Sequence, residues 1–363
     1  MQPLFLHEFH ENLNACFSEV NGMEVVAHHG DVLAEHAALC ATVGVLDLSF
    51  RGRICLTGAD RTRFLHGQVT NDVKRLGPGD GCYAALTTAK GKMECDLSIH
   101  CLAEELLLDF EPGLTASVSR RLASYIVADD VQIADVAPHY GLLTVQGPKA
   151  VPVIESLALF PELPGKPFSS FKVVDATLGE IHLVNRSRLD SAGFDLFVPL
   201  GALAAVADKL IAAAKVVGGG ACGWDAFETA RIEAGIPRFG MDMDDTNIPI
   251  ECGIENQAIN YSKGCYIGQE VLNRIHTLGH VNRELRGLRL ANDLPALPRK
   301  GDRLLLEGKE IGHITSAVKS PRLRANVALG YVRKEANRPG TQLTLLTSTG
   351  ESSALVVMLP FDS

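Results

Sequence analysis

The chain has 363 residues, 46% of them hydrophobic, with 34 Lys and Arg against 43 Asp and Glu for a formal net charge of −9. That length exceeds one ordinary core and predicts two or three domains, while the acidic balance argues against a broad electrostatic grip on nucleic acid or an anionic membrane. Nine cysteines, with no Cys-x-x-Cys pair, make neither a disulfide framework nor a closed zinc site and fit a reducing cytoplasm.

The first residues, Met1 to Phe17, contain Glu8 and Glu11 but no Lys or Arg, so no targeting segment is expected. A lead over 1–50 holds a predicted helix from Asp31 to Thr42 and ends in Gly44-Val45-Leu46-Asp47-Leu48-Ser49. A first module, 51–138, follows. Its strands are Arg51 to Thr57, Cys82 to Thr87, Met93 to His100, Leu106 to Phe110 and Val131 to Val136. Its helices are a short one after Asp60, the expected N-cap, and one from Leu114 to Tyr125. The order β-α-β-β-α-β is the split βαβ arrangement.

From Gly141 the pattern starts again, giving a second split-βαβ module over 139–245. The run Leu106 to Leu122 aligns with Phe194 to Leu210, and we read the two modules as an internal duplication. The apolar run Gly201 to Ala221 is broken by Asp208, Lys209 and Lys215 and reads as an amphipathic helix, not a membrane span. A connecting segment, 246–283, carries Lys263-Gly264-Cys265-Tyr266-Ile267-Gly268-Gln269-Glu270. Short, regularly spaced strands over 284–363 predict a C-terminal all-β barrel. The fold class expected is therefore α+β: two duplicated ferredoxin-like modules followed by a barrel.

Several constellations carry polar chemistry. If Gly268 opens a helix, its free N–H groups and Lys263 favour the thiolate of Cys265; the alternative is a small buried hydrophobe. Asn71-Asp72 caps and turns the chain after a short helix, or presents an amide and a carboxylate. Lys90-Gly91-Lys92 is a solvated turn, or a grip for a carboxylate or phosphate. Arg231 is within reach of Asp225 or Glu228 for an intrahelical salt bridge. His276 and His280 have metal-ligand spacing, but Gly279 weakens the helix between them, and no metal site is assigned. No dinucleotide fingerprint, P-loop or Gly-x-Ser-x-Gly is present.

The octapeptide Lys263 to Glu270, together with Ala89-Lys90-Gly91-Lys92-Met93, resembles the hallmark of the YgfZ-type folate-binding proteins. These are iron–sulfur cluster assembly or repair factors within the glycine-cleavage T-protein (aminomethyltransferase) superfamily. Glu35-His36-Ala37, Leu56-Thr57-Gly58-Ala59-Asp60, Asn71-Asp72-Val73, Arg231 to Pro237 and Pro249-Ile250-Glu251-Cys252-Gly253 resemble landmarks of that superfamily. The resemblance implies a three-domain ring that binds tetrahydrofolate or a one-carbon derivative. T-proteins carry paired aspartates where this chain has Cys95-Asp96, and a pterin-gripping glutamate where it offers at best Asp190.

On that resemblance the candidate catalytic groups are Cys265, as essential thiol, and Asp96. Candidate folate-binding residues are Asn71, Lys90, Lys92, Asp190, Phe194, Phe227, Arg231, Glu251, Lys263, Tyr266, Gln269, Glu270 and Arg274. The expected function is support of iron–sulfur cluster assembly or repair, and through it of tRNA-modifying and other cluster enzymes. The partners implied are folate and cluster proteins or assembly factors, with no direct nucleic acid and no membrane. The alternative is a folate-dependent aminomethyl or methyl transferase using Asp96, and a third reading is a folate-free docking scaffold.

Overall fold

The central strands are buried along most of their length, and each sheet is built where successive inward positions leave one continuous apolar face. The structure is a computed structural model that describes residues 1–361, so the last two residues of the expected barrel module lie outside it. The chain divides into two compact units, residues 1–86 with 95–228, and residues 87–94 with 229–363. Among the described residues, no helix is long and apolar enough to cross a membrane.

The first unit opens with α1 (His7–Glu11), the hairpin β1 (Cys16–Val20) and β2 (Met23–His28), helix α2 (Val32–Ala41) and β3 (Gly44–Asp47). Asp31 caps α2 through its carboxylate, which accepts from the backbone N–H groups of Leu33 and Ala34. The first module contains β4 (Gly52–Thr57), α3 (Arg61–Gln68), β5 (Gly81–Thr87), β6 (Met93–Cys101), β7 (Leu106–Phe110), α4 (Thr115–Ala123) and β8 (Gln132–Asp135). Asp60 does not cap α3 with its side chain as expected. Its carboxylate instead takes the Asp130 N–H and the Arg63 guanidinium, tying the helix start to a neighbouring loop.

The second module contains β9 (Tyr140–Gln146), α5 (Ala150–Ser156), β10 (Ser170–Asp175), β11 (Gly179–Asn185), β12 (Gly193–Pro199), α6 (Leu200–Val216) and β13 (Gly220–Ala221). The sheets run β5-β6-β7-β4-β8 and β10-β11-β12-β9-β3-β13, so four strands of each follow the same order and the lead supplies β3 as an insertion. The chain passes into the second unit within α7 (Trp224–Glu233).

Each sheet packs one face on its helices. In the first module Ile54, Leu56, Leu97, Ile99, Leu108 and Phe110 meet Val118 and Leu122 of α4. In the second, Leu143, Val145, Leu183, Leu196 and Val198 meet Leu203, Val206 and Leu210 of α6. The opposite faces are equally buried but polar, carrying Arg53, Ser98, His100 and Asp109 on one sheet and Thr144, Gln146, His182 and Asp195 on the other. They meet: the rings of His100 and Phe197 lie 5.6 Å apart. Arg53 donates to the carbonyls of Ser49 and Tyr140.

An ionic chain crosses this interface. Arg51 bonds Glu111 and, at 2.8 Å, Asp109; Arg188 bonds Asp109 at 2.9 Å and Asp195 at 2.7 Å. Burial raises the cost of each charge, and the alternation of sign offsets it. The two guanidiniums hold the Asp109 carboxyl far below the ordinary carboxylate range against the opposing effect of burial.

The second unit includes the turn 87–94, helices α8 (Glu255–Ala258) and α9 (Gln269–Leu278), and strands β14 (Arg283–Leu290), β15 (Arg303–Leu306), β16 (Lys309–Ser320), β17 (Ala325–Arg333), β18 (Gln342–Thr347) and β19 (Gly350–Val357). The strands close into a barrel in the order β14-β17-β16-β15-β18-β19 around Leu288, Leu304, Ile314, Val332, Leu345 and Val356. Arg231 is buried here, bonded to Asp242 and, at 3.0 Å, to Ser316 of β16. A loop carboxylate, Asp242, is thus an ion-pair partner of Arg231 that its helix spacing does not announce.

Replacing Arg188 by Met leaves Asp109 and Asp195 short of a cation in a buried place, and is expected to cost about 3–5 kcal/mol in urea unfolding. Lys172→Met removes an exposed pair with Glu180 (3.1 Å) and is expected to cost less than about 1 kcal/mol.

Candidate functional site

The polar face of the first sheet sets out the most developed site. β6 and β7 pair Ser98 with Asp109, and β7 and β4 pair Asp109 with Arg53. Two residues outward along each strand the same face presents Asp96, Glu111 and Arg51. Arg51 is already committed to Asp109 and Glu111, which leaves Asp96 at the end of the row with Tyr83, whose hydroxyl donates to Oδ2 at 2.7 Å. Asp96 Oδ1 is buried and has no partner among the described residues.

A carboxylate with one shielded, unbonded oxygen resists ionisation. Burial pushes the Asp96 carboxyl up, the nearby Glu111 charge adds to the rise, and Tyr83 and Arg51 oppose it. The result is a group able to hold a proton and to accept an N–H from a ligand. Beside it, the Arg186 guanidinium stacks over Phe168 at 4.5 Å and lies 5.8 Å from the Tyr83 ring. Burial lowers Arg186 to about 10, and its Nε has no partner among the described residues. His100, on the same face, is held neutral by burial, lowered to about 4.

Of the residues singled out in the sequence, Asn71 ties into this neighbourhood through bonds to the backbone. Its Nδ2 donates to the Tyr83 carbonyl at 2.8 Å and its Oδ1 accepts the Asp72 N–H. Asp190 is exposed on the loop after Arg188. Phe194 faces away from the polar layer into the core under α6. Phe227 is buried against Trp224, centroids 5.4 Å apart. Tyr83, Arg186, Phe168, Arg51 and Glu111 were not singled out. Their signal was weak: single residues in strands and loops, joined only by the fold.

The cysteine loop forms a second site in the other unit. Gly268, with φ +90°, starts α9, and a Cβ there would lie 2.7 Å from both Thr87 Oγ1 and the Thr88 carbonyl. Only glycine fits this approach, which is completed by Thr87 Oγ1 donating to the Ile267 carbonyl at 2.7 Å. Cys265 is exposed, so the small buried hydrophobe is not what the fold makes of it. Lys263 is buried with its Nζ 4.8 Å over the Tyr266 ring, and the Tyr266 hydroxyl is buried without a partner among the described residues.

Gln269 opens α9, with Glu270 and Arg274 exposed along it. The helix ends at Leu278, and Gly279 takes φ +87° as its C-cap, so His276 and His280 do not share a helix face. His276 instead stacks on Tyr261 and bonds Glu255 at 2.8 Å. Lys90 is exposed at the tip of the 87–94 turn, and Lys92 Nζ donates to the Thr246 carbonyl at 2.6 Å. Glu251 is buried with its carboxylate 3.4 Å from Arg283.

Comparison with known proteins gives two family matches: the GCVT N-terminal domain over residues 6–263 and the glycine cleavage T-protein C-terminal barrel domain over 283–362. An aminomethyltransferase from Parafrankia sp. is 30% identical across 99% of this chain and 97% of its own. Another, from Shouchella clausii, is 28% identical across 98% of this chain and 96% of its own. The crystal structure of the glycine cleavage system aminomethyltransferase T from Bartonella henselae superposes with a TM-score of 0.89 at 24% identity, covering 99% of this chain and 98% of that one. This last likeness concerns the fold.

The raised Asp96 carboxyl predicts a pH signature. Below the unfolded value, about 3.9, the group is protonated in both states and contributes nothing. As pH rises through the window up to the folded value, the unfolded chain loses its proton first and the fold loses stability. Asp96→Asn is therefore expected to melt a few degrees above wild type at about pH 8 and level with it at about pH 3, followed by circular dichroism. A melting difference independent of pH would mean that the carboxyl is not shifted.

Proposed function

Because this chain belongs to the glycine-cleavage T-protein family, we propose that it binds tetrahydrofolate or a one-carbon derivative and acts as an aminomethyltransferase-like one-carbon transferase, with Asp96 as its acid–base group. The observation that carries this reading is the unbonded, buried Oδ1 of Asp96. The pterin edge is rich in N–H donors, and a shielded carboxyl oxygen beside Tyr83 is the acceptor such an edge needs. Bound folate would supply the N5 amine that takes or gives the one-carbon unit. Asp96 would hold or take the proton there, its value moved toward working pH by burial and by Glu111. Tyr83 would fix the carboxyl's orientation, and the Arg186–Phe168 stack offers a flat surface for a conjugated ring.

In the matching T-protein pair of aspartates the first position is Cys95 here, which is fully buried with its thiol pushed well up by burial and so takes no part in proton transfer. Glu111, held by Arg51, is the second carboxylate of this site. We place Arg231 outside the ligand set, since Asp242 and Ser316 take its donors. The expected cytoplasmic location fits a folate user.

The exposure of Cys265 favours a second reading within the same family. A glycine-locked loop that presents a thiol, in an octapeptide resembling the YgfZ-type hallmark, suits a transient cluster ligand or nucleophile in iron–sulfur assembly or repair, with folate retained as ligand. Iron–sulfur proteins would then be its partners.

Anaerobic calorimetric titration with tetrahydrofolate is expected to give micromolar binding, on the order of −8 kcal/mol, in wild type and in Cys265→Ser. Asp96→Asn is expected to lose one-carbon transfer by about 100-fold or more. If Asp96→Asn supports full activity while Cys265→Ser abolishes cluster-enzyme function in cells, the second reading stands instead. Absence of heat with any folate would remove both.

A further inference from the structure

The second unit holds a cavity of about 450 Å³ lined by Lys92, Glu251, Asn282, Arg283, Arg333, Lys334 and Glu335. Four cations face two carboxylates there, in a chain whose formal net charge is −9. The register makes this crowding costly. Arg283 at the start of β14 pairs directly with Arg333 at the end of β17, and like charges directly opposite on neighbouring strands destabilise a sheet.

The compensation inside the protein is incomplete. Arg283 lies 3.4 Å from Glu251 and packs 5.0 Å over the Tyr331 ring, and it shares the Thr246 carbonyl with Lys92. Glu335 reaches Lys309, at 3.9 Å, on the far side. Arg333 and Lys334 are exposed and have no carboxylate partner among the described residues. A neighbouring cavity of about 210 Å³ shares Arg283 and Arg333 and adds His313. Burial lowers His313, and the Arg283 charge lowers it further against the opposing Asp244 and Glu310.

We propose that this cavity is an anion site for a small, multiply charged phosphate ester or polycarboxylate, gripped by Arg333 and Lys334 with Arg283 behind them. The guanidinium fork of Arg333 matches two oxygens of either group, and Lys334 adds a movable point charge. An open recess of this size has room for a compact metabolite. The site is built entirely within the second unit and its proposed grip, Arg333 and Lys334, is shared with neither Asp96 nor Cys265, although Lys92 and Glu251 of its lining are among the candidate folate-binding residues.

The test is a calorimetric titration of the full chain with inorganic pyrophosphate and with citrate, in wild type, in the double variant Arg333→Ala/Lys334→Ala, and in Lys215→Ala as an exposed-charge control. Saturable binding in wild type and the control, weakened at least about tenfold in the double variant, is the expected result. Tighter binding of pyrophosphate assigns a phosphate ester, and tighter binding of citrate a polycarboxylate. Without any anion, the double variant is expected to melt no lower than wild type, because a like-charge opposition has been removed, and to gain nothing when pyrophosphate is added. Non-saturating heats, or equal affinity in all three proteins, would overturn the proposal.

Discussion

The arrangement of the first unit depends on one buried ionic chain, Glu111–Arg51–Asp109–Arg188–Asp195, in which two guanidiniums alternate with three carboxylates between two sheets. Hydrophobic cores hold each sheet to its own helices, but the faces that meet between the modules are polar. Such a layer is stable only with every charge answered, since one uncompensated ion there costs several kcal/mol. The requirement for register follows. Sliding β6 or β7 by one residue would turn Asp109 and Ser98 into the apolar core and break the chain.

The same constraint produces the site. Arg51 and Arg188 have no spare donors aimed at Asp96, so the last carboxyl of the row is left with a tyrosine hydroxyl and one unsatisfied oxygen. Perturbed carboxyls of this kind cluster at functional sites, which is why the proposed proton transfer is placed at Asp96. The cysteine loop shows a comparable economy of means: its geometry rests on glycine at φ +90° packed on Thr87 and Thr88, which leaves Cys265 open to solvent. The barrel's Arg283–Arg333 opposition is a third place where local stability is given up.

Much of the fold was legible because its signals are local. Leu106–Phe110 and Arg303–Leu306 are short apolar runs bounded by turn residues and occur as strands with the expected limits, and the matched strand order of the two sheets agrees with the duplication read from the Leu106 and Phe194 runs. The lead was read less well. A helix near Asp31 is visible from its cap. The hairpin Cys16–Val20 with Met23–His28 turns on Asn21-Gly22, at φ +50° and +82°, a strong hairpin signal that the reading of the lead did not use, and Gly44–Asp47 becomes a strand by pairing with β9 and β13. Gly279 ended α9 as its φ demands, which separated the two histidines.

The site was less legible than the fold. Asp96 and Cys265 were found through resemblance to a family, whereas Tyr83, Arg186 and Glu111 acquire meaning only when three strands and a distant loop are brought together. Arg231 and Phe194 illustrate the converse. Their motifs are visible in sequence, and the fold pairs one with a buried carboxylate and packs the other in the core. The account is tested most directly by carboxyl-carbon NMR of the protein labelled at aspartate, titrated with and without tetrahydrofolate under reducing conditions. It predicts one resonance, missing in Asp96→Asn, that titrates above the ordinary aspartate range and moves when folate is added. An Asp96 resonance that titrates in the ordinary range and ignores folate would contradict it.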